Sequence, residues 1–207
     1  RKRPSLSLLL TALSVSLTFA CRLTSATFLA PFFVYLLVKN WRRGFIVGVF
    51  SALLFAPWAL FNWQHYGSIL GAQAIFRDAA NWLRDFSGLY GVLLSPTRGL
   101  LVYQPWILLG VFLFSRRISS PVPLALRALF WAAILLQILL ISRWRAWYGG
   151  SCYGSRLVAE TTPLLLILVT PVIAHFLALR RGRWALVLIA TLGFLIHANG
   201  VYFSGGF

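Results

Sequence analysis

One run of the chain is almost entirely apolar and reads Leu124-Ala-Leu-Arg-Ala-Leu-Phe-Trp-Ala-Ala-Ile-Leu-Leu-Gln-Ile-Leu-Leu-Ile-Ser142. Its one charged side chain, Arg127, stands near the beginning. As an α-helix rising about 1.5 Å per residue, the stretch would be about 28 Å long, close to the roughly 30 Å hydrocarbon core of a bilayer. It therefore predicts a helix that crosses a membrane.

The composition of the whole chain agrees with this prediction. Of its 207 residues, 60% are hydrophobic and 11% are charged, and the mean hydropathy is +0.83. A soluble domain is closer to half apolar, with about a quarter of its residues charged. Since backbone N–H and C=O groups in lipid must be satisfied internally, the spans must be helices. We expect an all-α, polytopic transmembrane bundle that forms a single domain over residues 1–207.

Basic clusters between the apolar runs set the predicted topology. The net charge is +16, and basic residues cluster at 1–3, 39–43, 116–117 and 180–183. Such clusters mark the cytoplasmic side of a membrane protein and argue against a nucleic-acid partner. An even number of crossings must then separate each pair of clusters, which gives about seven spans. The predicted spans are residues 5–20, 26–38, 44–61, 100–115, 124–142, 163–179 and 184–200. The outer loops are residues 62–99 and 143–162.

The first of these outer loops contains a segment with helical periodicity. Over residues 69–86 the apolar side chains share one face, and the polar side chains lie largely opposite. The apolar face consists of Ala72, Ile75, Phe76, Ala79, Leu83 and Phe86. We expect this segment to be an amphipathic helix that lies flat on the outer leaflet.

The second outer loop is rich in groups that bind phosphate. It reads Arg143-Trp-Arg-Ala-Trp-Tyr-Gly-Gly-Ser-Cys-Tyr-Gly-Ser-Arg-Leu-Val-Ala-Glu-Thr-Thr162. A guanidinium is always charged and forks onto phosphate oxygens. The arginines on the predicted outer face include Arg22, Arg98, Arg143 and Arg156. A lipid-linked phosphate would lie on that face, although arginines there also snorkel to ordinary head groups.

Aromatic residues and glycines accompany these arginines. Trp147, Tyr148 and Tyr153 are suited to stacking on a sugar or lining an isoprenoid groove, and the alternative is the aromatic belt common in membrane proteins. Glycines allow the backbone to approach a ligand closely. The glycines of this loop are Gly149, Gly150 and Gly154.

Glu160 is the acidic residue of this loop, four residues after Arg156. In a helix these two side chains would pair, so Glu160 is interpreted as a residue that positions Arg156. No residue of the chain is a convincing catalytic base, and the histidines have no second ligand at metal spacing. Thr162 is expected to cap the next helix, with Pro163 at its first position.

Four segments resemble patterns of one family of bacterial membrane glycosyltransferases. The segment Trp147-Tyr-Gly-Gly-Ser-Cys-Tyr-Gly-Ser-Arg-Leu157, with Glu160 and Pro163 behind it, is similar to Trp-Trp-Gly-Gly-x-x-Tyr-Gly-Pro-Arg-Leu followed by an acidic residue and a proline. The segment Gly91-Val-Leu-Leu-Ser-Pro-Thr-Arg-Gly-Leu-Leu-Val-Tyr-Gln-Pro105 is similar to Gly-Leu-Leu-Phe-Ser-Pro-x-Arg-Gly-Leu-x-x-Tyr-x-Pro. Residues 62–68 and 22–25 resemble its Asn-x-x-x-Phe-Gly-Ser and Thr-Arg-Pro-Thr segments. The family is that of the dolichyl-phosphate-mannose mannosyltransferase-like enzymes with the GT-C fold; Tyr148 and Ser155 depart from its pattern.

The resemblance implies a GT-C-like fold and transfer of a hexose or pentose from a polyprenyl-phosphate donor to a glycan, lipid or protein acceptor. It implies a multi-pass protein of the bacterial inner membrane whose site faces the periplasm or the exterior. The lipid-phosphate and sugar site would consist of Arg22, Arg98, Tyr103, Arg143, Trp147, Tyr148, Gly149, Gly150, Tyr153, Gly154, Arg156 and Glu160. The resemblance establishes no cofactor, and a divalent metal stays an open alternative.

The catalytic base of that family is an acidic residue in the first outer loop. That loop lies upstream of the segments matched here, and the chain begins with Arg1-Lys-Arg-Pro4 and not with Met. We therefore expect part of a longer protein that is inactive alone. Two other classes stay open: a lipid-linked-sugar flippase or polysaccharide ligase, and a non-enzymatic membrane scaffold or transporter part.

Overall fold

The computed structural model describes residues 6–71, 82, 85–86, 88–114, 118–149, 154 and 156–203. Within these ranges the regular structure is helical, as the composition predicts. The α-helices are α1 (Leu6–Cys21), α2 (Ala26–Lys39), α3 (Trp41–Tyr66), α4 (Gly88–Leu94), α5 (Leu100–Tyr103), α6 (Leu124–Arg143), α7 (Thr162–Ala178) and α8 (Arg180–Phe203). Helices of the 3-10 type cover Leu23–Ser25, Pro105–Phe114 and Ala159–Thr161.

Four helical segments in the described ranges are long and apolar enough to cross a membrane, so the chain has the character of a membrane protein. They are Trp41–Tyr66, Leu124–Arg143, Ala159–Ala178 and Arg180–Asn199. The predicted spans at 124–142 and 163–179 are thereby confirmed as helices, with bounds that differ by about one residue. The span predicted at 184–200 begins earlier, because α8 continues through the basic cluster to Arg180.

The prediction of seven spans is not confirmed. Helices α1 and α2 have 16 and 14 residues, so they are about 24 and 21 Å long and shorter than a bilayer core. The span predicted at 100–115 is interrupted at Gln104, whose backbone leaves the helical region (φ −131°, ψ 65°). The cause is Pro105, which has no N–H and disfavours a helical conformation in the residue before it.

Helix α3 is longer than predicted and shortens the first outer loop. The Asn40 side chain accepts a hydrogen bond from the Arg43 N–H (3.2 Å) and caps its start. At the other end Gly67 adopts a left-handed conformation (φ 63°), which terminates the helix five residues beyond the predicted position. Residues 62–66 are therefore helical and do not belong to the loop.

The predicted amphipathic helix lies mostly outside the described residues. Of residues 69–86, the structure describes 69–71, 82, 85 and 86. Residues 69–71 close a turn, in which the Gly71 N–H donates to Ser68 O (2.9 Å), and residues 85–86 form a bend. Neither end is α-helical, and Trp82 forms an isolated bridge with Trp144, so the helix stays a prediction only for the residues of this segment that the structure does not describe.

The chain forms two compact units, Arg1–Asn81 and Trp82–Phe207. In the first unit, α1 and α2 both pack on α3 and are joined by the 3-10 helix Leu23–Ser25. The Ser51 hydroxyl of α3 donates to Ala12 O of α1 (3.1 Å). Gly44 allows α2 to approach α3, because a Cβ atom there would lie 2.6 Å from Leu37 Cδ2.

The second unit has a buried core to which α4, α5, α6 and α7 contribute. Its residues are Val92, Leu100, Ile134, Ile138, Ile141, Val158, Leu165 and Leu168. A second cluster of Leu109, Val169 and Val172 joins the 3-10 helix Pro105–Phe114 to α7, and α8 packs against it. Because Val158 is part of the first cluster, the loop after α6 returns to the core just beyond Arg156.

Candidate functional site

Five of the predicted site residues line one small cavity in the second unit. They are Arg98, Trp147, Tyr148, Gly154 and Arg156. The cavity is closed by apolar side chains of the core, among them Val92 and Ile141, and has a volume of about 10 Å³. That volume holds about one water molecule. The fold thus brings together arginines from two loops that are distant in the sequence.

Arg98 is held by a tight turn and by the opposite loop. Ser95 O accepts hydrogen bonds from the N–H groups of Arg98 (3.3 Å) and Gly99 (2.7 Å). Position 99 requires glycine, because a Cβ atom there would lie 2.6 Å from the Ser95 nitrogen. The Arg98 guanidinium donates to Tyr148 O and lies 5.7 Å from the centroid of the Tyr148 ring. Arg98 therefore links the turn before α5 to the loop after α6.

The two aromatic residues at the cavity have different environments. The Trp147 ring packs on α4, where a Cβ atom at Gly91 would lie 2.6 Å from Cζ3 and one at Gly88 would lie 3.1 Å from Cδ1. Tyr148 is 47% exposed. Trp147 therefore anchors the loop, whereas the Tyr148 ring is the one accessible to a ligand.

Two of the predicted glycines occupy backbone conformations that suit glycine. Gly149 (φ 75°) and Gly154 (φ 79°) are both left-handed. Gly154 is buried, and a Cβ atom there would lie 3.4 Å from the Tyr103 ring. Gly150 and Tyr153 lie outside the described residues. At Gly154, the group that the backbone approaches closely is therefore the Tyr103 side chain.

Tyr103 packs against the cavity residue Gly154 and also lines an apolar groove of about 570 Å³. Its buried ring faces Gly154 on one side and lines the groove on the other. The groove runs between the 3-10 helix Pro105–Phe114, α7 and α8. Its apolar lining includes Leu109, Ile173, Leu177, Leu186, Ile189 and Phe194, and polar groups come from Gln104, Thr162 and His197.

The polar groups of the groove are hydrogen-bonded across helices. The Gln104 amide donates to the Thr162 hydroxyl (2.7 Å), and His197 Nε2 lies 3.1 Å from Tyr103 O. The prediction that Thr162 caps α7 is wrong, because α7 begins at Thr162 and the preceding residue is Thr161. Sequence reasoning missed these contacts, although a glutamine directly before a proline in an apolar run was an available signal.

The predicted pairing of Arg156 with Glu160 required a helix that is not formed. Residues 156–158 form a turn, and Ala159–Thr161 form a single 3-10 turn. Glu160 Oε2 instead accepts a hydrogen bond from Gln137 Nε2 of α6 (3.4 Å). Gln137, which is fully buried, was also missed by sequence reasoning. An amide buried in the middle of an apolar span lowers stability unless it has a hydrogen-bond partner. A glutamine at this position was therefore the signal available in the sequence.

Two predicted arginines lie away from the cavity lining. Arg143 is exposed at the last position of α6, and its guanidinium lies 5.3 Å from the centroid of the Phe86 ring. Arg22 belongs to the first unit, in the turn between α1 and α2, where its carbonyl accepts from the Ser25 N–H (3.1 Å). The second unit alone therefore provides the cavity and its two arginines.

No protein-family model, no curated protein and no solved structure matches this chain.

Among the residues that the structure describes, no group of three His, Cys, Asp or Glu side chains is placed to hold a metal ion. The groups that this site presents are two guanidinium groups, an exposed phenol ring and a neighbouring apolar groove.

Proposed function

We propose that this chain binds the phosphate of a polyprenyl-linked sugar at Arg98 and Arg156 and serves as part of a GT-C-type membrane glycosyltransferase. The observation that carries the proposal is that Arg98, Arg156 and Tyr148 line one cavity. Two guanidinium groups at one place match the charge and the oxygen geometry of a phosphate.

The phosphate would lie at the mouth of the cavity, because the interior has room for about one water molecule. Arg156 is exposed there, and Arg98 is oriented by its hydrogen bond to Tyr148 O. When the sugar leaves, negative charge develops on the polyprenyl phosphate, and preoriented guanidinium groups stabilise that charge. The exposed Tyr148 ring would stack on the sugar.

The groove beyond Tyr103 supports a donor with a long apolar chain. Two of its walls are α7 and α8, which both contain candidate membrane spans, so an apolar chain would enter it from the hydrocarbon. Its volume of about 570 Å³ lies within the range of ligand-binding pockets. Tyr103 would then lie between the phosphate of the donor and its polyprenyl chain.

A binding measurement tests the proposal without requiring activity. The chain is reconstituted in lipid nanodiscs, and its affinity for a polyprenyl phosphate is compared with that for the corresponding polyprenol. We expect the phosphate to increase affinity, and Arg156→Ala or Arg98→Ala to reduce it by about tenfold or more, since each removes a charge-assisted contact. Arg180→Ala, in the first turn of α8, is the matched control and should have little effect.

Equal losses in Arg156→Ala and Arg180→Ala would contradict the assignment of the site. In a transfer assay on protein with activity, Arg156→Ala should abolish transfer while Arg180→Ala leaves it nearly unchanged. Movement of intact donor between leaflets, with no cleavage of the sugar–phosphate bond, would instead indicate the flippase alternative.

A further inference from the structure

The middle of α6 contains a polar side chain that the proposed site does not yet use. Gln137 is 0% exposed and is surrounded in the sequence by Leu135, Leu136, Ile138 and Leu139. A buried primary amide lowers stability unless its hydrogen-bonding groups are satisfied, and more so within a membrane span. A leucine of similar volume would fill the same space without an amide whose hydrogen bonds must be satisfied.

The amide of Gln137 donates to two groups of the loop that carries Arg156. Nε2 lies 3.1 Å from Leu157 O and 3.4 Å from Glu160 Oε2. Both partners are acceptors, so the NH2 side of the amide must face them and its orientation is determined. One partner follows Arg156 directly in the chain, and the other lies four residues after it.

The segment held in this way has few regular backbone hydrogen bonds of its own. Residues 156–158 form a turn, and the 3-10 turn behind it contributes a bond from the Thr161 N–H to Val158 O (3.0 Å). Two side-chain hydrogen bonds from a membrane-embedded helix therefore restrict the backbone next to Arg156. A guanidinium contributes most to binding when its position is set before the ligand arrives.

We propose that Gln137 is a positioning residue that holds the Leu157–Glu160 segment in place so that Arg156 faces the phosphate. This inference rests on the proposed function for its ligand, but the restraint on the loop is independent of any ligand. Gln137 touches no substrate; it acts through the Leu157 carbonyl and the Glu160 carboxylate.

The test compares Gln137→Leu with Ile138→Ala in nanodiscs. Ile138→Ala creates a cavity in the same buried core but leaves the amide intact, so it controls for loss of stability. Two quantities are measured: affinity for a polyprenyl phosphate, and backbone hydrogen exchange of the peptide covering residues 157–161. We expect Gln137→Leu to weaken polyprenyl phosphate binding about tenfold and to accelerate hydrogen exchange at residues 157–161. Ile138→Ala should change the affinity and the exchange rate less, even where its loss of Tm is comparable.

A swap of the two partners gives a readout that packing alone does not produce. Gln137→Glu places two carboxylates together and should weaken binding further. Adding Glu160→Gln to that variant restores one amide–carboxylate hydrogen bond, and we expect partial recovery of affinity and of exchange protection.

Unchanged exchange at residues 157–161 in Gln137→Leu would overturn the proposal, as would equal effects in Ile138→Ala or no recovery in the swap variant. If the unaltered protein binds no polyprenyl phosphate, the proposed function fails. The exchange comparison then still decides whether Gln137 holds the loop.

Discussion

At the scale of single residues, one glycine determines where the loop after α6 packs. Helix α4 presents Gly91 to the Trp147 ring, and the ring occupies the space that any Cβ atom would take. Trp147 in turn is followed by Tyr148, whose carbonyl accepts the hydrogen bond from Arg98. A change at Gly91 would therefore affect both the core and the cavity.

Gly91→Ala should destabilise the second unit by about 1–3 kcal/mol, because a methyl group at this position overpacks the contact with Trp147. Gly193→Ala in α8 is the matched control, since a Cβ atom there would meet nothing within 4 Å. Alanine is also the better helix former, so the control should keep or raise the Tm. Thermal unfolding in nanodiscs measures both variants, and equal Tm values would show that Trp147 does not rest on α4.

At the scale of elements, the break between α5 and the 3-10 helix Pro105–Phe114 shapes the groove. Pro105 ends the helical backbone at Gln104, and the freed Gln104 side chain reaches Thr162 at the start of α7. His197 of α8 contacts the Tyr103 carbonyl near the same break. The interrupted helix is thus joined by polar contacts to both helices that form the groove.

Thr162→Val should lower the free energy of unfolding by about 1–2 kcal/mol, because valine keeps the shape of threonine but leaves the Gln104 amide without this partner. Thr170→Val is the control on the same helix. The Thr170 hydroxyl is exposed and donates to Leu166 O of its own helix (2.7 Å), so its loss should cost less than about 0.5 kcal/mol. Chemical or thermal unfolding monitored by circular dichroism compares the two. Similar losses at both positions would argue against a tether between α5 and α7.

At the scale of the whole molecule, the charge distribution predicts which ends of the spans lie outside. The basic residues 180–183 stand at the start of α8, and α7 leads to them from the loop that contains Arg156. The positive-inside rule predicts that the turn around Leu179 is cytoplasmic and that the cavity lies on the opposite side of the membrane. We infer that the proposed phosphate site opens away from the cytoplasm.

Cysteine labelling tests this orientation. In a background with Cys21→Ser and Cys152→Ser, Tyr148→Cys should react with a membrane-impermeant maleimide on intact spheroplasts. Leu179→Cys should react only after permeabilisation, and it is a fair control because Leu179 is also exposed, at 48%. The reverse pattern would invert the topology and place the cavity in the cytoplasm.

The membrane-protein character of the chain and the positions of α6 and α7 were predictable from the amino-acid sequence alone. Hydrophobic length and a proline in the first turn of α7, Pro163, are local properties, so α6 and α7 were predicted to within about one residue. Local reasoning also singled out Gly149 and Gly154, whose backbone is left-handed, and five of the residues that line the cavity. The seven predicted spans are not confirmed, because Pro105 interrupts the span at 100–115 and because α1 and α2 are shorter than a bilayer core.

Which of these residues contact one another depends on how the helices pack in three dimensions. Arg98 and Arg156 line one cavity because α4, α5, α6 and α7 share a core to which Val158 returns the loop. The same packing buries Gln137 beside Leu157 and Glu160 and places Trp147 on Gly91. Such contacts join residues far apart in the chain, and neither hydrophobic periodicity nor helix-end preferences carry information about them, because both are properties of neighbouring residues.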